Sequence, residues 1–158
     1  MKSIVETQVS APIKNTFDLI VPIDLSQIFT GHLCLPAVIG VENSTGDWDG
    51  AGQTRTVCLS DNSRAQETLL EYNRPSYFRY RVSNFTGVLR LLAKEARGQW
   101  WFKENSDGTT HIRWEYVFVP ASVFALPFIW IVAKFIWRGY MKKALSISKQ
   151  MTETCFES

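Results

Sequence analysis

Two charged side chains stand at positions where strand alternation turns them toward the interior. Arg55 falls in the run QTRTVCLS, residues 53–60, in phase with Val57 and Leu59, and Glu67 falls in RAQETLLEY, residues 64–72. With a turn centred near Asp61 the two sit directly across from one another on adjacent strands. Side chains alternate faces along a strand, so an inward Val57 and Leu59 carry Arg55 inward too, and Glu67 with it. Glu67 then approaches Tyr80 on the following strand. A buried arginine and carboxylate beside a tyrosine can orient the polar head of a ligand, or serve as acid and base in an aldol-type cyclisation. The plainer alternative is a cross-strand ion pair near the sheet surface, worth about 0–1 kcal/mol.

Other chemistries find little purchase. His32 and His111 are the only histidines, far apart and without a cysteine spacing that suits a metal, so neither metal nor cofactor is expected. Gly50-x-Gly52 precedes a strand rather than a helix, and offers a phosphate no helix N-terminus. No Ser-His-Asp or Cys-His spacing stands out. The 17 basic and 15 acidic residues nearly balance, and apart from Lys142-Lys143 the basic ones are scattered, which excludes nucleic acid as a partner. Cys34, Cys58 and Cys155, an odd and widely spaced set, argue for a reducing compartment, and no apolar leader opens the chain, so a cytoplasmic protein is expected.

The elements that would hold Arg55 and Glu67 follow from periodicity. At 158 residues the chain reads as one domain over 1–158. Residues 3–10 form a strand, residues 12–21 and 24–29 two short helices, and residues 37–43, 53–60, 64–72, 77–85, 96–104 and 109–119 six further strands in antiparallel meander. Residues 86–94 are a less regular connection. Centring the last hairpin on Asp107 sets Trp100 opposite Trp114, Phe102 opposite Ile112 and Gly98 opposite Tyr116, with Lys103 and His111, Trp101 and Arg113, Gln99 and Glu115 paired on the reverse face. Phe78, Tyr80, Trp100, Trp114 and Tyr116 then build an aromatic inner wall, equally able to line a small cavity or to fill it.

Residues 117–137, VFVPASVFALPFIWIVAKFIW, carry Lys134 as their sole charge and are apolar all round, so they must be covered. Pro120 suits a strand end and Pro127 a first helical turn, which predicts a helix starting between 121 and 127 and running to about 151. Its second half is amphipathic. The uncharged run 117–133 reaches only the lower limit of about 17 residues for a membrane span, and both prolines interrupt it. The expected cover is the sheet.

Several short motifs, weak singly but ordered along nearly the whole chain, resemble those of the START and birch-pollen-allergen superfamily, often called SRPBCC. They are Ala11-Pro12, Trp48-Asp49-Gly50-Ala51-Gly52 with Arg55, Glu67, Phe78-Arg79-Tyr80-Arg81-Val82, Gly108-Thr109, Trp114-Glu115-Tyr116 with Pro120, and Trp137-Arg138-x-Tyr140-Met141. Within it the chain is similar to bacterial proteins labelled polyketide cyclase/dehydrase or lipid-transport-like. The resemblance implies an α+β helix-grip fold, a curved antiparallel sheet of about seven strands around a long C-terminal helix, enclosing an elongated cavity for an apolar or amphipathic small molecule. In related hormone receptors the strand resembling that of Glu67 supplies a pocket carboxylate. Chemistry does not follow from the fold, which hosts carriers, receptors, cyclases and oxygenase subunits alike.

The combined expectation is a pocket between sheet and C-terminal helix, lined by Phe78, Tyr80, Trp100, Trp114, Tyr116, Phe128, Ile131 and Phe135, with Arg55 and Glu67 as polar anchors for a lipid, polyketide-like or aromatic ligand. One alternative is an aromatase/cyclase-type enzyme in which Arg55 polarises a carbonyl and Glu67 or Tyr80 moves a proton. Another is a non-catalytic dimerising module with a filled core. The greasy helix adds two partner expectations, transient contact with a membrane and burial in a homodimer.

Overall fold

The structure, a computed structural model, describes residues 1–157. Strands β1 (Lys2–Val9), β2 (Val38–Glu42), β3 (Thr54–Leu59), β4 (Arg64–Asn73), β5 (Tyr77–Ser83), β6 (Ala93–Glu104) and β7 (Thr110–Pro120) form one sheet. Its order is β1-β7-β6-β5-β4-β3-β2, antiparallel at every step. Strands β2 to β7 are thus a continuous meander, and β1 closes the far edge against β7. The hairpin register is the one the sequence predicts, with Trp100 opposite Trp114, Phe102 opposite Ile112 and Gly98 opposite Tyr116. The inward side chains are buried, whereas Lys103, His111, Arg113 and Gln99 keep water contact on the other face.

Between β1 and β2 lie α1 (Ile13–Ile20) and α2 (Leu25–Ile28). Helix α1 buries Phe17 and Ile20, spaced to share one side, and the Asp24 carboxylate caps α2 by accepting from the Ser26 N–H at 3.0 Å. The irregular connection before β6 contains a single helical turn, α3 (Leu89–Leu92).

The C-terminal helix is continuous but not uniform. A 3-10 turn (Val123–Ala125) leads into α4 (Leu126–Ile131), a π-helical turn (Val132–Trp137) and α5 (Arg138–Glu157). It runs past residue 151, because Thr152 is buried and its hydroxyl donates to the Ser148 carbonyl at 2.8 Å, which prolongs the packed face. An α-helix advances 100° per residue, so steps of four drift by about 40° each. Ala125, Ile129, Ala133, Met141 and Leu145 nevertheless all face the body, and the wider π turn takes up part of that drift.

Only α5 is held as the sequence predicts. Tyr140, Met141, Ala144 and Leu145 enter the core, and α5 packs on β1, α1 and α2. The preceding half touches its own fold along the narrow line of Ala125, Ile129 and Ala133, anchored where Ser3 Oγ donates to the Ala133 carbonyl at 2.6 Å, and at its far end through Trp137, whose ring packs on Tyr116 and Phe118 at 4.7 and 5.3 Å between centroids. The rest of that apolar surface faces outward. The expectation that the sheet covers it all is therefore corrected: a rod apolar on every side can bury one stripe against a sheet edge and no more.

Candidate functional site

Arg55 and Glu67 are direct cross-strand partners on β3 and β4. Both turn to the inner face and are only 9% and 8% exposed. Arg55 Nε donates to Glu67 Oε2 at 2.7 Å. The guanidinium also lies against the Trp48 ring, with Cζ 3.9 Å from the ring centroid, a cation–π stack.

Trp48 reaches this position from the loop between β2 and β3, with φ +59°. For a bulky residue the left-handed region is strained by about 1–3 kcal/mol and persists only where its surroundings hold it. Here Asp49 N–H donates to Gln53 Oε1 at 3.0 Å, Gln53 Nε2 donates to Asp49 Oδ1 at 2.7 Å, and Gly52 N–H donates to the Leu69 carbonyl at 2.7 Å. The loop is pinned so that an indole covers the buried cation.

Tyr80 lies opposite Gly98 on β6. A Cβ at position 98 would collide with the Tyr80 Cζ and hydroxyl, so the glycine lets this ring cross the neighbouring strand. Burial first, and then the Glu67 charge, push the Tyr80 hydroxyl far above its ordinary value of 10.0, so it stays protonated. Tyr116 is raised by the same burial, with Tyr80 and Glu67 adding to it.

The other wall residues stack. Trp100 and Trp114 lie 4.5 Å apart between ring centroids, Phe78 lies 5.7 Å from Trp100, and Trp114 and Tyr116 meet edge to face at 6.5 Å. A small cavity of about 30 Å³ remains. Arg55, Glu67, Trp48, Phe78, Tyr80, Trp100 and Trp114 bound it on the sheet side, and Ile20, Val21, Ile23, Leu25, Ile28 and Phe29 bound it opposite. The Trp114 indole N–H, on the same wall, is buried without an acceptor.

Seven of the ten residues singled out in the sequence thus come together: Arg55, Glu67, Phe78, Tyr80, Trp100 and Trp114 on the cavity, and Tyr116 buried next to it. Phe128, Ile131 and Phe135 do not. They are 60%, 48% and 59% exposed, because they occupy the faces of the C-terminal helix away from Ala125, Ile129 and Ala133. The cavity accordingly lies between the sheet and the α1–α2 segment rather than under the C-terminal helix. Trp48 and the segment 20–29 were missed as site residues. The available signal was a lone tryptophan in a Gly/Asp loop, and the run Ile20, Val21, Ile23, Leu25, Ile28, too apolar to stand in water. Among the described residues, no cluster of three or more His, Cys, Asp or Glu side chains is placed to hold a metal ion.

No family model and no curated protein matches the chain. Solved structures do. The chain is similar to ginseng major latex-like protein 151 from Panax ginseng, at 10% identity and TM-score 0.67 over 96% of this chain and 97% of that one. It is similar to Ara h 8.0201, at 13% identity and TM-score 0.63 over 98% of both chains. A third likeness is to the di-domain ARO/CYC StfQ from the steffimycin biosynthetic pathway, at 17% identity and TM-score 0.61, covering 98% of this chain but 45% of that two-domain protein. Identities this low speak for fold alone, and the fold shared with these structures is the helix-grip fold: a curved seven-stranded antiparallel sheet with a long C-terminal helix.

Proposed function

We propose that residues 1–158 form a single soluble, cytoplasmic domain that binds a small hydrophobic or amphipathic molecule between the sheet and the α1–α2 segment. The apolar body would lie against Phe78, Tyr80, Trp100 and Trp114, with an anionic or carbonyl head on Arg55. The observation carrying this reading is the Arg55 guanidinium on the cavity wall, nine-tenths buried, held by Glu67 through Nε and stacked on Trp48. Its terminal N–H groups would pair bidentately with a carboxylate head entering the cavity. The Trp114 N–H offers a second donor on the same wall.

The cavity of about 30 Å³ has room for roughly one water molecule, so ligand entry requires the segment 20–29 to move outward. Its helix α2 is a single turn, an element of low local stability. The probe is 2-naphthoate, an aromatic body with a carboxylate head. We expect it to raise the melting temperature of the wild type and not that of Arg55→Met. No shift in either would favour the reading that the small cavity itself supports, a non-catalytic module with a filled core.

The likeness to an ARO/CYC structure keeps an aromatase/cyclase reading in play. Tyr80, held protonated, could only donate a proton, and Glu67 Oε2 is already engaged by Arg55, which leaves the pair better suited to orienting a carbonyl than to abstracting a proton. A folded Glu67→Gln variant that still cyclised a poly-β-keto substrate would remove Glu67 as the base.

A further inference from the structure

We propose that the first half of the C-terminal helix, together with α3 beside it, is a docking face that lies flat on an anionic lipid bilayer. Phe124 and Val88 are 84% and 74% exposed, and Phe128, Trp130, Phe135 and Leu91 join them in the open. Helix α3 packs next to α4, and the Ala121 N–H donates to the Leu92 carbonyl at 2.9 Å, so the two apolar surfaces belong to one face. The face cannot turn inward, because Ala125, Ile129 and Ala133 already occupy the side against the body.

Charge decides what covers it. Lys134, Arg138 and Lys142 are all exposed at four-residue steps, and Arg90 on α3 and Lys94 just beyond it are exposed too. No acidic residue occurs between Glu71 and Glu95 or between Glu115 and Glu153. The Lys134 ammonium rests over the Trp130 and Phe135 rings, at 4.6 and 5.5 Å from their centroids. An apolar surface with interfacial aromatics and a purely cationic border is complementary to acyl chains under anionic headgroups. A second copy fits poorly: a two-fold contact would set these cations against each other with no carboxylate on these segments to pair them. A membrane span fits no better, since Val123 to Trp137 extends about 22 Å at 1.5 Å per residue, short of the roughly 30 Å hydrocarbon core.

The test is flotation of the full chain with vesicles of phosphatidylcholine alone and with phosphatidylglycerol admixed, at low and high salt. Binding is expected to the phosphatidylglycerol vesicles and to weaken with salt. Each of Lys134→Gln, Arg138→Gln and Lys142→Gln should loosen it about fivefold, and Phe124→Ser with Phe128→Ser by tenfold or more. Trp130 emission should shift to the blue and be quenched by brominated acyl chains. The substituted side chains are exposed, so wild-type melting curves should accompany the loss. Failure to float with phosphatidylglycerol vesicles, equal binding to both compositions, binding indifferent to these substitutions, or a stable dimer that hides Trp130 from lipid would each overturn the proposal. Saturating 2-naphthoate should leave flotation of the wild type unchanged, which keeps this outcome separate from that of the ligand site.

Discussion

The Arg55–Glu67 pair can be tested for the role it does not have. At 2.7 Å and an effective dielectric near 20, the attraction is on the order of 6 kcal/mol. Taking two ions out of water costs several kcal/mol each, so the pair contributes close to nothing net to stability. Removing one partner is different, because it strands a charge in the core. Glu67→Gln and Arg55→Met should each destabilise by about 3–5 kcal/mol, with Arg55→Met also losing the stack on Trp48. The double variant Arg55→Met with Glu67→Leu should recover most of that loss and fall within about 1 kcal/mol of the wild type, or exceed it. Urea unfolding at neutral pH, followed by circular dichroism, measures all four corners of the cycle. Single substitutions costing under about 1 kcal/mol would mean the pair is hydrated like a surface bridge. A double variant as unstable as the sum of the singles would mean the pair itself holds the fold, and the case for a site that sacrifices stability for recognition would collapse.

Three further outcomes follow from the packing. Gly98→Ala should destabilise by about 1–3 kcal/mol through collision with Tyr80, and much of that loss should vanish in a Tyr80→Ala background. Leu145→Ala should cost about 2–5 kcal/mol, whereas Phe128→Ala should change thermal stability by under about 0.5 kcal/mol; equal effects would contradict the division of the helix into a gripped and an open half. Tyr80, Tyr116 and Tyr140 all have hydroxyls raised above 10.0, Tyr140 to about 12, burial being the leading cause in each. Their contribution is complete below pH 10 and is lost above it, because only the unfolded chain then releases these protons. The slope is about 1.4 kcal/mol per pH unit for each tyrosine. Tyrosinate absorbance from these three should therefore rise together with loss of circular dichroism, whereas the half-buried Tyr72 and Tyr77 can ionise beforehand; titration of all five tyrosines with the fold intact would contradict the burial.

The sheet was legible because its strands sort side chains cleanly. Aromatics alternate with charges from Gly98 to Tyr116, and a one-residue slip would have buried Lys103 and Arg113, so the hairpin had a single sensible register. The same alternation sets Arg55 opposite Glu67. Trp48 was not legible as a site residue, since its ring reaches Arg55 only through a left-handed backbone and a loop pinned by Gln53, neither of which has a periodicity. Nor was the fate of residues 123–137: hydropathy reports that a surface avoids water, not which apolar partner it meets. The four-residue spacing of Ala125, Ile129 and Ala133 was the available hint that one thin stripe, two-thirds of it alanine, faced protein.

That stripe bears on why the helix is so apolar at all. The inner face of the sheet is already covered, by Phe17, Ile20, Leu25 and Ile28 from α1 and α2 and by Tyr140, Met141, Ala144 and Leu145 from α5. Folding asks of the preceding half that Ala125, Ile129 and Ala133 seat against the body and that Trp137 pack on Tyr116 and Phe118; Lys or Glu at its exposed positions would serve the helix as well and the solubility better. Instead Phe124, Phe128, Trp130, Ile131 and Phe135 stand in the open. Burying five such side chains is worth roughly 10 kcal/mol, comparable to the whole stability of an ordinary domain. A surplus of that size has no use in the monomer's own core, so the partner it suits lies outside the chain, and the cations bordering it favour one that is both oily and negatively charged.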